Sequence, residues 1–326
     1  MTNVDRPTPS PAAVVPYPRP MSPMTPRYLL VTADDFGIGV ETSRGILDLA
    51  ARGVVTSTVL LVNSPFAAES VALWRRLGGR PELGWHPCLT IDAPVLPPDR
   101  VPTLVDADGR FLPLGGFLKR LVRGRVSPTE VEAEFRAQYR RFLDLVGHPP
   151  ANVNAHHHVH VFAPVGDALA RVLAGQAPRP YLRRVAEPWR TLSRVPGARI
   201  KRAVLTRVGG RAARRQARAD LPGNEWLLGV TDPPFVRAAD FFPRWLRAAP
   251  GRVVELTCHP GYFDPTLDGR DGTAADGHLH RRPAEFDGLR DPRFRAAVAA
   301  AGFTLVPAAD LARVSAGRPA ARLSAA

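Results

Sequence analysis

The sequence predicts a single α/β domain built as a distorted, TIM-like (β/α) barrel, and three observations support this prediction. The chain has 326 residues, of which 45% are hydrophobic, so it can bury one sizeable core. Short apolar runs of the kind found in buried parallel strands recur along it. Segments with helical spacing separate many of these runs, and such alternation is typical of a parallel sheet covered by helices.

The predicted strands and helices span residues 27–313, which we assign to the barrel. The first strand, YLLVTA at 28–33, is followed by a helix over 41–53 that ends in a glycine suited to a helix C-cap. After the second strand another helix runs through Trp74. A long loop at 90–115 contains Pro, Asp and Gly and has no clear period. The eight strand-like runs cover residues 28–33, 54–63, 82–86, 152–158, 181–185, 226–230, 252–258 and 303–307.

The clearest helix signal in the chain lies at residues 127–147. Ser127 is suited to the N-cap position, Pro128 to the first helical position, and Glu130 follows three residues after the cap, the arrangement of a capping box. The apolar residues of this segment recur with helical spacing and predict one core-facing side. They are Val131, Phe135, Phe142 and Val146.

Both ends of the chain are predicted to lie outside the barrel. Residues 1–26 contain eight prolines and no hydrophobic periodicity, which predicts a disordered or extended tail. Residues 314–326 predict a second flexible tail. The opening segment has no apolar stretch of the secretory type, and no run is long and apolar enough to span a membrane. With only two cysteines, these features favour a cytoplasmic protein and argue against a disulfide scaffold.

The chain is strongly basic, with a formal net charge of +14. Only Lys119 and Lys201 are lysines, so the arginine excess also fits a GC-rich genome. Residues 201–220 hold seven basic residues against one acid, which predicts a phosphate-binding face or, more commonly, a solvated basic helix or lid. No aromatic interleaving accompanies this segment. Nucleic-acid binding is therefore kept only as a minor alternative, and no nucleic-acid partner is expected.

Polar side chains follow four of the predicted strands at the point where each strand ends. Asp34 and Asp35 follow the first strand, and His86, His156 and His259 end or follow three others. The carboxyl ends of the strands of a parallel α/β barrel meet at one mouth, where active sites are usually found. We therefore expect these side chains to converge on a single site.

The chemistry of these residues predicts metal-assisted hydrolysis of an amide or ester. One carboxylate and two imidazoles suit a divalent ion such as Zn²⁺, Mn²⁺, Co²⁺ or Fe²⁺, and the run AHHHVH at 155–160 is hard to explain by packing alone. A second carboxylate can act as general base, and a histidine opposite it can protonate a leaving amine. The chain has no GxSxG, GxGxxG or GxxxxGK[ST] motif. We interpret Cys258 as a buried cysteine of a strand and not as a nucleophile.

Five segments, in this order, resemble the YdjC-like carbohydrate deacetylases. They are TADDFGIGVETSRGILDLAARGVVTSTVLLVN, GWHPCLT, VNAHHHVHVF, ELTCHPGYFD and DPRFRAAVAAAGFTLVPAADL. That family includes diacetylchitobiose deacetylases and deacetylases associated with hopanoid biosynthesis. The resemblance covers about residues 27–313 and implies the barrel type of glycoside hydrolases and deacetylases. It also implies removal of an N-acetyl group from an amino sugar, such as a short N-acetylglucosamine oligosaccharide or a glycolipid head group.

The resemblance assigns roles to the residues that match the family's motifs. It implies that Asp35, His86 and His156 bind one divalent ion, commonly Mg²⁺ in the family. It also implies that Asp34 is the general base, and that His259 is the acid or a stabiliser of the transition state. A homodimer is expected because members of the family are often dimeric.

Further residues are expected beside the metal or the substrate. The resemblance implies that His158 and His160 contact the substrate or the metal ligands. It implies that Arg183 contacts the substrate, with Arg184 as the second choice. Asn154 stands where many members have Asp, which would weaken the orientation of a histidine by a carboxylate.

Other departures lie in GWHPCLT, at Trp85, Pro87 and Cys88, where the family often has small or apolar residues and a leucine after the histidine. These departures motivate an alternative function, a catalytically inert glycan-binding relative with the same fold. Weaker still is the alternative of nucleic-acid binding through 201–220.

Overall fold

The computed structural model describes residues 26–272 and 277–315. The predicted tails at 1–26 and 314–326 lie outside the described residues except at their inner ends. The described chain forms an α/β structure with eight strands, all in parallel pairings. The strands are β1 Arg27–Phe36, β2 Ser57–Leu60, β3 Glu82–Trp85, β4 Asn152–Val153, β5 Tyr181–Leu182, β6 Trp226–Leu228, β7 Val253–Cys258 and β8 Phe303–Leu305.

The sheet curls into a distorted barrel around β1. Its strand order is β5-β4-β3-β2-β1-β7-β6, and β8 pairs with the first residues of β1. The two outer strands, β5 and β6, share no ladder, but backbone hydrogen bonds join the segments around them. Leu182 N donates to Pro222 O over 2.8 Å, and Leu227 N donates to Ala186 O over 2.8 Å. The predicted fold class is therefore confirmed, with the barrel distorted where β5 faces β6.

Helices pack around this sheet, and the ones named here all lie in the described ranges. The helices are α1 Val40–Ala51, α2 Ala67–Arg76, α3 Leu114–Val122, α4 Pro128–Val146, α5 Ala163–Leu173, α6 Trp189–Arg194, α7 Arg199–Arg218, α8 Phe241–Ala248, α9 His278–Arg290, α10 Pro292–Ala300 and α11 Ala308–Ser315. No helix within 26–272 or 277–315 is both long enough and apolar enough to cross a membrane.

Helix α4 shows how the chain encodes its local structure. The four residues of its predicted core side are all buried, and the helix ends at Gly147, whose φ of 92° is left-handed. Ser127 Oγ accepts a hydrogen bond from Glu130 N at the helix start, as predicted. The reciprocal half of the capping box is not formed, because Glu130 Oε2 instead accepts both the backbone N–H and the hydroxyl of Thr103.

The histidine-rich run differs most from its predicted strand. Only Asn152–Val153 pairs as a strand, and residues His156–Val161 form a tight helical turn instead. His157 and His158 have φ values of 53° and 56°. A strand would point neighbouring side chains to opposite faces of the sheet, whereas this turn places several imidazoles at the end of the barrel. The prediction of a strand through residue 158 was therefore wrong.

The basic segment at 201–220 forms most of α7, as the alternative of a solvated basic helix predicted. Its inner side packs through Ala212 against Val161, Val185 and Leu227. The exposed side carries arginines together with Ile200, which is 83% exposed. The predicted long loop at 90–115 is mostly irregular, but its end begins α3, which has no clear sequence signal.

Candidate active site

A bulge in β1 brings both acidic residues of the first strand to the barrel mouth. The pairing of β1 with β2 shifts between Ala33 and Phe36, so that β1 holds one residue more than its partner. Asp35 lies in this bulge with a φ of 64°, a left-handed conformation that is unusual for a residue other than glycine. Successive strand residues normally point to opposite faces. The bulge breaks this alternation, and Asp34 and Asp35 are both buried among site residues.

Asp35, His86 and His156 meet as the sequence predicts. Asp35 Oδ1 lies 3.1 Å from His86 Nε2 and 2.9 Å from His156 Nδ1. One potential ligand atom from each residue lies within 4.8 Å of the others, and all three residues are buried. The three side chains come from the ends of β1 and β3 and from the turn after β4. The structure thus brings together the predicted metal ligands, which were dispersed over 121 positions in the chain.

His86 is oriented by the backbone and not by a carboxylate. Its Nδ1 lies 2.7 Å from the carbonyl oxygen of Asn154, which can only accept, so Nδ1 carries the proton. Any residue at position 154 supplies this carbonyl. The Asn found there in place of the usual Asp therefore leaves the orientation of His86 intact.

The arrangement of donors fits a divalent ion. When His86 is neutral, its Nε2 lone pair faces an oxygen of Asp35, and two lone pairs repel unless a cation lies between them. Neighbouring ligands of an ion at about 2.1 Å lie about 3 Å apart, which matches the spacings seen here. His156 Nε2 is buried and has no hydrogen-bond partner among the described residues. A second possible ligand group consists of His156, His157 and Asp271. It shares His156 with the first group and so belongs to the same site.

The charges around Asp35 keep it ionised. Burial alone would raise the pKa of Asp35, but His156 and Arg282 lower this pKa well below its usual value. Arg282 Nη2 donates to Asp35 Oδ2 over 2.8 Å and to Asp271 Oδ2 over 2.5 Å. Its Nη1 is buried and has no hydrogen-bond partner in the described part of the chain. No sequence pattern links Arg282 to Asp35, which lies 247 positions away in the chain.

Asp34 is held by a buried network beneath the mouth. Arg183 donates to both of its oxygens, with Nη1 2.6 Å from Oδ2 and Nη2 2.8 Å from Oδ1. Thr257 Oγ1 donates to Oδ2 over 2.9 Å, and Asn154 Nδ2 to Oδ1 over 3.4 Å. Asp34 therefore has a fixed orientation beside the candidate metal ligands.

Arg183 is fully buried and lies behind Asp34. Its Nε donates to Glu255 Oε1 over 2.8 Å, and Tyr181 and Thr32 donate to the same carboxylate. Burial alone would lower the pKa of Arg183, but Asp34 and Glu255 raise it above its usual value. The guanidinium is occupied by two carboxylates, so the structure places it beside the candidate base and not at an open surface.

The remaining histidines of the run differ in their surroundings. His160 Nε2 donates to Arg183 O over 3.1 Å, and burial lowers the pKa of His160 to about 4. His158 is half-buried, and burial followed by the charge of Arg183 lowers its pKa well below the usual value. Its buried Nδ1 has no hydrogen-bond partner among residues 26–272 and 277–315. His157 Nδ1 lies 2.9 Å from Thr90 Oγ1.

His259 follows β7 and is fixed by α9. Its backbone N–H donates to Glu285 Oε2 over 2.5 Å, and Arg281 Nη2 donates to its Nδ1 over 3.0 Å. Burial, followed by the charge of Arg281, lowers the pKa of His259 well below the usual value. Arg281 and Glu285 lie four positions apart and pair with each other. That spacing is visible in the sequence, but no sequence pattern links the pair to His259.

A cleft of about 780 Å³ lies at the other end of the sheet, where β5, β6 and β7 begin. It includes Arg184, whose Nη2 donates to Leu221 O over 3.0 Å. Arg184, the second choice for a substrate contact, therefore lies apart from the acid pair. In parallel barrels this end generally serves stability and not chemistry.

Comparison with known proteins gives consistent matches over most of the chain. The profile of the family described as YdjC-like protein matches residues 28–300. The chitooligosaccharide deacetylase of Klebsiella pneumoniae (strain 342) is 31% identical over 285 residues, covering 86% of this chain and 97% of the relative. The carbohydrate deacetylase of Geobacillus stearothermophilus is 32% identical over 284 residues, covering 86% and 96%.

A solved structure shares the fold. It is a crystal structure from Enterococcus faecalis V583, titled as that of a candidate cellobiose-phosphate cleavage protein. It superposes with a TM-score of 0.69 at 24% identity, covering 87% of this chain and 98% of the other. The likeness supports the barrel architecture.

Proposed function

The chain belongs to the YdjC-like protein family, and on this premise we propose that it is a carbohydrate deacetylase that removes an N-acetyl group from an amino sugar with the help of a divalent ion. The observation that carries the proposal is the juxtaposition of two units at one mouth. Asp35, His86 and His156 form the first, and Asp34 held by Arg183 forms the second. A ligand set beside a separately held carboxylate is the arrangement that amide hydrolysis requires.

Asp35, His86 and His156 would hold the ion. Their mixture of one carboxylate and two imidazoles suits Zn²⁺, Mn²⁺ or Co²⁺, and the family resemblance favours Mg²⁺. When bound there, the ion would act as a Lewis acid towards the acyl carbonyl and the attacking water. The pairing of Asp35 with Arg282 keeps the carboxylate ionised, which ion binding requires.

Asp34 would accept the proton of the attacking water. Arg183 donates to both of its oxygens, so the carboxylate is held in one orientation. In this proposal Arg183 acts through Asp34 as a positioning residue. His160 holds the backbone at the same place by donating to the Arg183 carbonyl.

His259 lies at the same mouth and would act on the other side of the amide. Its two candidate roles are protonation of the leaving nitrogen and hydrogen bonding to the carbonyl oxygen as charge develops there. His158, with its unpartnered buried Nδ1, would contact the sugar. The relatives' names favour a chitooligosaccharide or another acetylated sugar as substrate, and a glycolipid head group has the same N-acetyl chemistry.

The test is acetate release from N,N′-diacetylchitobiose and N-acetylglucosamine by chelator-treated and metal-reconstituted protein. We expect release to disappear on chelation and to return with one divalent ion. Asp35→Ala and His156→Ala should abolish it, while His148→Ala, an exposed histidine away from the site, should not. Undiminished release by both site variants would overturn the proposal.

The same preparations separate the alternatives. Binding of chitooligosaccharide without stoichiometric metal or acetate release would support the inert glycan binder. Binding of nucleic acid through α7 would instead show affinity that falls steeply with salt, with a log–log slope on the order of −5 for about six phosphates. Homodimer formation, a cytoplasmic location and the boundaries at 27–313 stay predictions, and light scattering tests the first.

A further inference from the structure

The first two turns of α9 place two consecutive arginines against two different parts of the site. Arg282 pairs with Asp35, whereas Arg281 turns to His259. We propose that Arg281 holds His259 as a neutral imidazole with its proton on Nε2, so that His259 donates a hydrogen bond to the substrate carbonyl oxygen and does not protonate the leaving amine. This inference rests on the proposed deacetylase function for its catalytic part, but the state of the ring can be measured independently.

The donor chemistry of arginine determines the tautomer. A guanidinium carries only N–H donors and no acceptor, and it stays protonated in proteins. Arg281 Nη2 lies 3.0 Å from His259 Nδ1, so that ring nitrogen must accept. The single proton of the neutral ring is then on Nε2. An imidazolium would place an N–H on Nδ1 facing the guanidinium, and the hydrogen bond would be lost.

Glu285 makes this contact rigid. Its Oε1 accepts from Arg281 Nε over 2.7 Å, and its Oε2 accepts the backbone N–H of His259 over 2.5 Å. Glu285 is fully buried and lies four residues after Arg281 on α9. The three residues therefore form a closed ring of hydrogen bonds. Rotation of the imidazole would break its bond to Arg281, and rotation of the guanidinium would break two of the three bonds.

The charges facing His259 come from three elements. Helix α9 contributes Arg281, Arg282 and Glu285, β1 contributes Asp35, and the turn after β4 contributes His158. Burial and the charges of Arg281 and Arg282 disfavour protonation of the His259 imidazole, and only the acidic groups favour it. The net effect lowers the pKa of His259 well below the usual value for histidine. The ring is thus neutral at neutral pH for the same reasons that fix its tautomer.

A neutral His259 leaves the proton transfers to Asp34. The O–H bond of water breaks as its oxygen bonds to the acyl carbon, and the proton passes to Asp34. When the C–N bond breaks, its electron pair stays on nitrogen, which takes this proton from Asp34. The products are acetic acid and the free amine, which then equilibrate with solvent. His259 keeps its proton throughout and stabilises the carbonyl oxygen through Nε2–H.

The decisive measurement is the ring state of His259 by nitrogen-15 NMR of histidine-labelled full-length protein. The resonance is assigned by its absence from His259→Gln. We expect the pattern of the neutral Nε2–H tautomer, unchanged between about pH 6 and pH 8. An Nδ1–H tautomer, or an imidazolium in that range, would overturn the inference. Because this spectrum needs no substrate, it stands whether or not the protein proves to be a deacetylase.

Two variants test the roles of the partners. In Arg281→Gln the amide can donate to or accept from Nδ1, so we expect His259 to titrate at higher pH than in the unmodified protein. Arg290→Gln, an exposed arginine of the same helix, should leave the resonance unchanged. An unaltered His259 titration in Arg281→Gln would refute the positioning role.

The catalytic part is tested by comparing two substitutions of His259. Glutamine can donate a hydrogen bond but cannot deliver a proton, whereas alanine can do neither. Loss of an oxyanion donor costs about 10²–10³-fold in kcat, so His259→Ala should fall by that amount and His259→Gln by about tenfold or less. Equal losses in both variants would return His259 to the role of general acid.

Discussion

Removal of the buried Arg183 guanidinium gives a direct test of the network beneath the mouth. Arg183→Met keeps the volume of the side chain but leaves Asp34 and Glu255 as two buried carboxylates without their cation. Removing one partner of a buried ion pair lowers the free energy of unfolding by about 3–5 kcal/mol. Because Arg183 pairs with two carboxylates, we expect a decrease near the upper end of this range. Since domains of ordinary stability unfold at a cost of about 5–15 kcal/mol, the variant should be marginal.

The matched control is an ion pair of the same length on the surface. Arg171 Nε lies 2.6 Å from Glu132, the same distance as Arg183 Nη1 from Asp34, but the Arg171 side chain is 50% exposed. Exposed pairs contribute about 0–1 kcal/mol, so Arg171→Met should leave stability within that range. The contrast compares a buried arginine that bridges two carboxylates with an exposed arginine that pairs with one.

The assay is urea unfolding followed by circular dichroism, with the protein at neutral and at mildly acidic pH. Acid should reduce the deficit of Arg183→Met, because a buried carboxylate without a partner is relieved by taking up a proton. Adding Glu255→Gln should restore about 2 kcal/mol by removing one buried charge. If Arg183→Met unfolds within about 1 kcal/mol of the unmodified protein, the network does not hold Asp34 as described.

Three further predictions concern neighbouring parts of the molecule. Gly209→Ala should destabilise the protein by about 1–3 kcal/mol, because the added methyl would overlap the Val185 carbonyl oxygen. The adjacent Gly210→Ala meets open space and should stabilise α7 by about 0.5–1 kcal/mol. Urea unfolding measures both effects. Asn154→Ala should leave divalent-ion affinity, measured by calorimetry, within about threefold, because the backbone orients the bound histidine. Cys88 should not react with a thiol reagent at about pH 8 until the protein unfolds, because burial raises its pKa to about 12.

The parts of the site that follow strands could be predicted from the sequence, because strand ends in a parallel barrel share one mouth. Asp35, His86 and His156 each follow or end an apolar run, and that placement predicted that they converge. The family resemblance then singled out these three as the metal ligands. The core side of α4 was predictable for the same kind of reason, since its apolar period is local. Local patterns are therefore sufficient where one element determines the position of a side chain.

The parts that depend on distant contacts could not be predicted. Arg281 and Arg282 act on residues far away in the chain, and no spacing in the sequence links them to His259 or Asp35. The side chain of Glu130 was expected to cap its own helix, but Thr103 offered it two donors from another segment. Such competition between local and tertiary partners is resolved only in the folded chain.

The bulge at Asp35 is a feature that the site needs but that the pairing of the strands does not. The extra residue in β1 contributes nothing to the ladder with β2, which resumes its pairing at Phe36. Only Asp34 and Asp35 lie between the paired positions Ala33 and Phe36, so a deletion of one codon there would remove one of the two acids and let the two strands pair without interruption. A chain shortened in this way could keep the barrel and lose the reaction, so inert relatives can arise from a single small deletion, with every histidine of the site still in place.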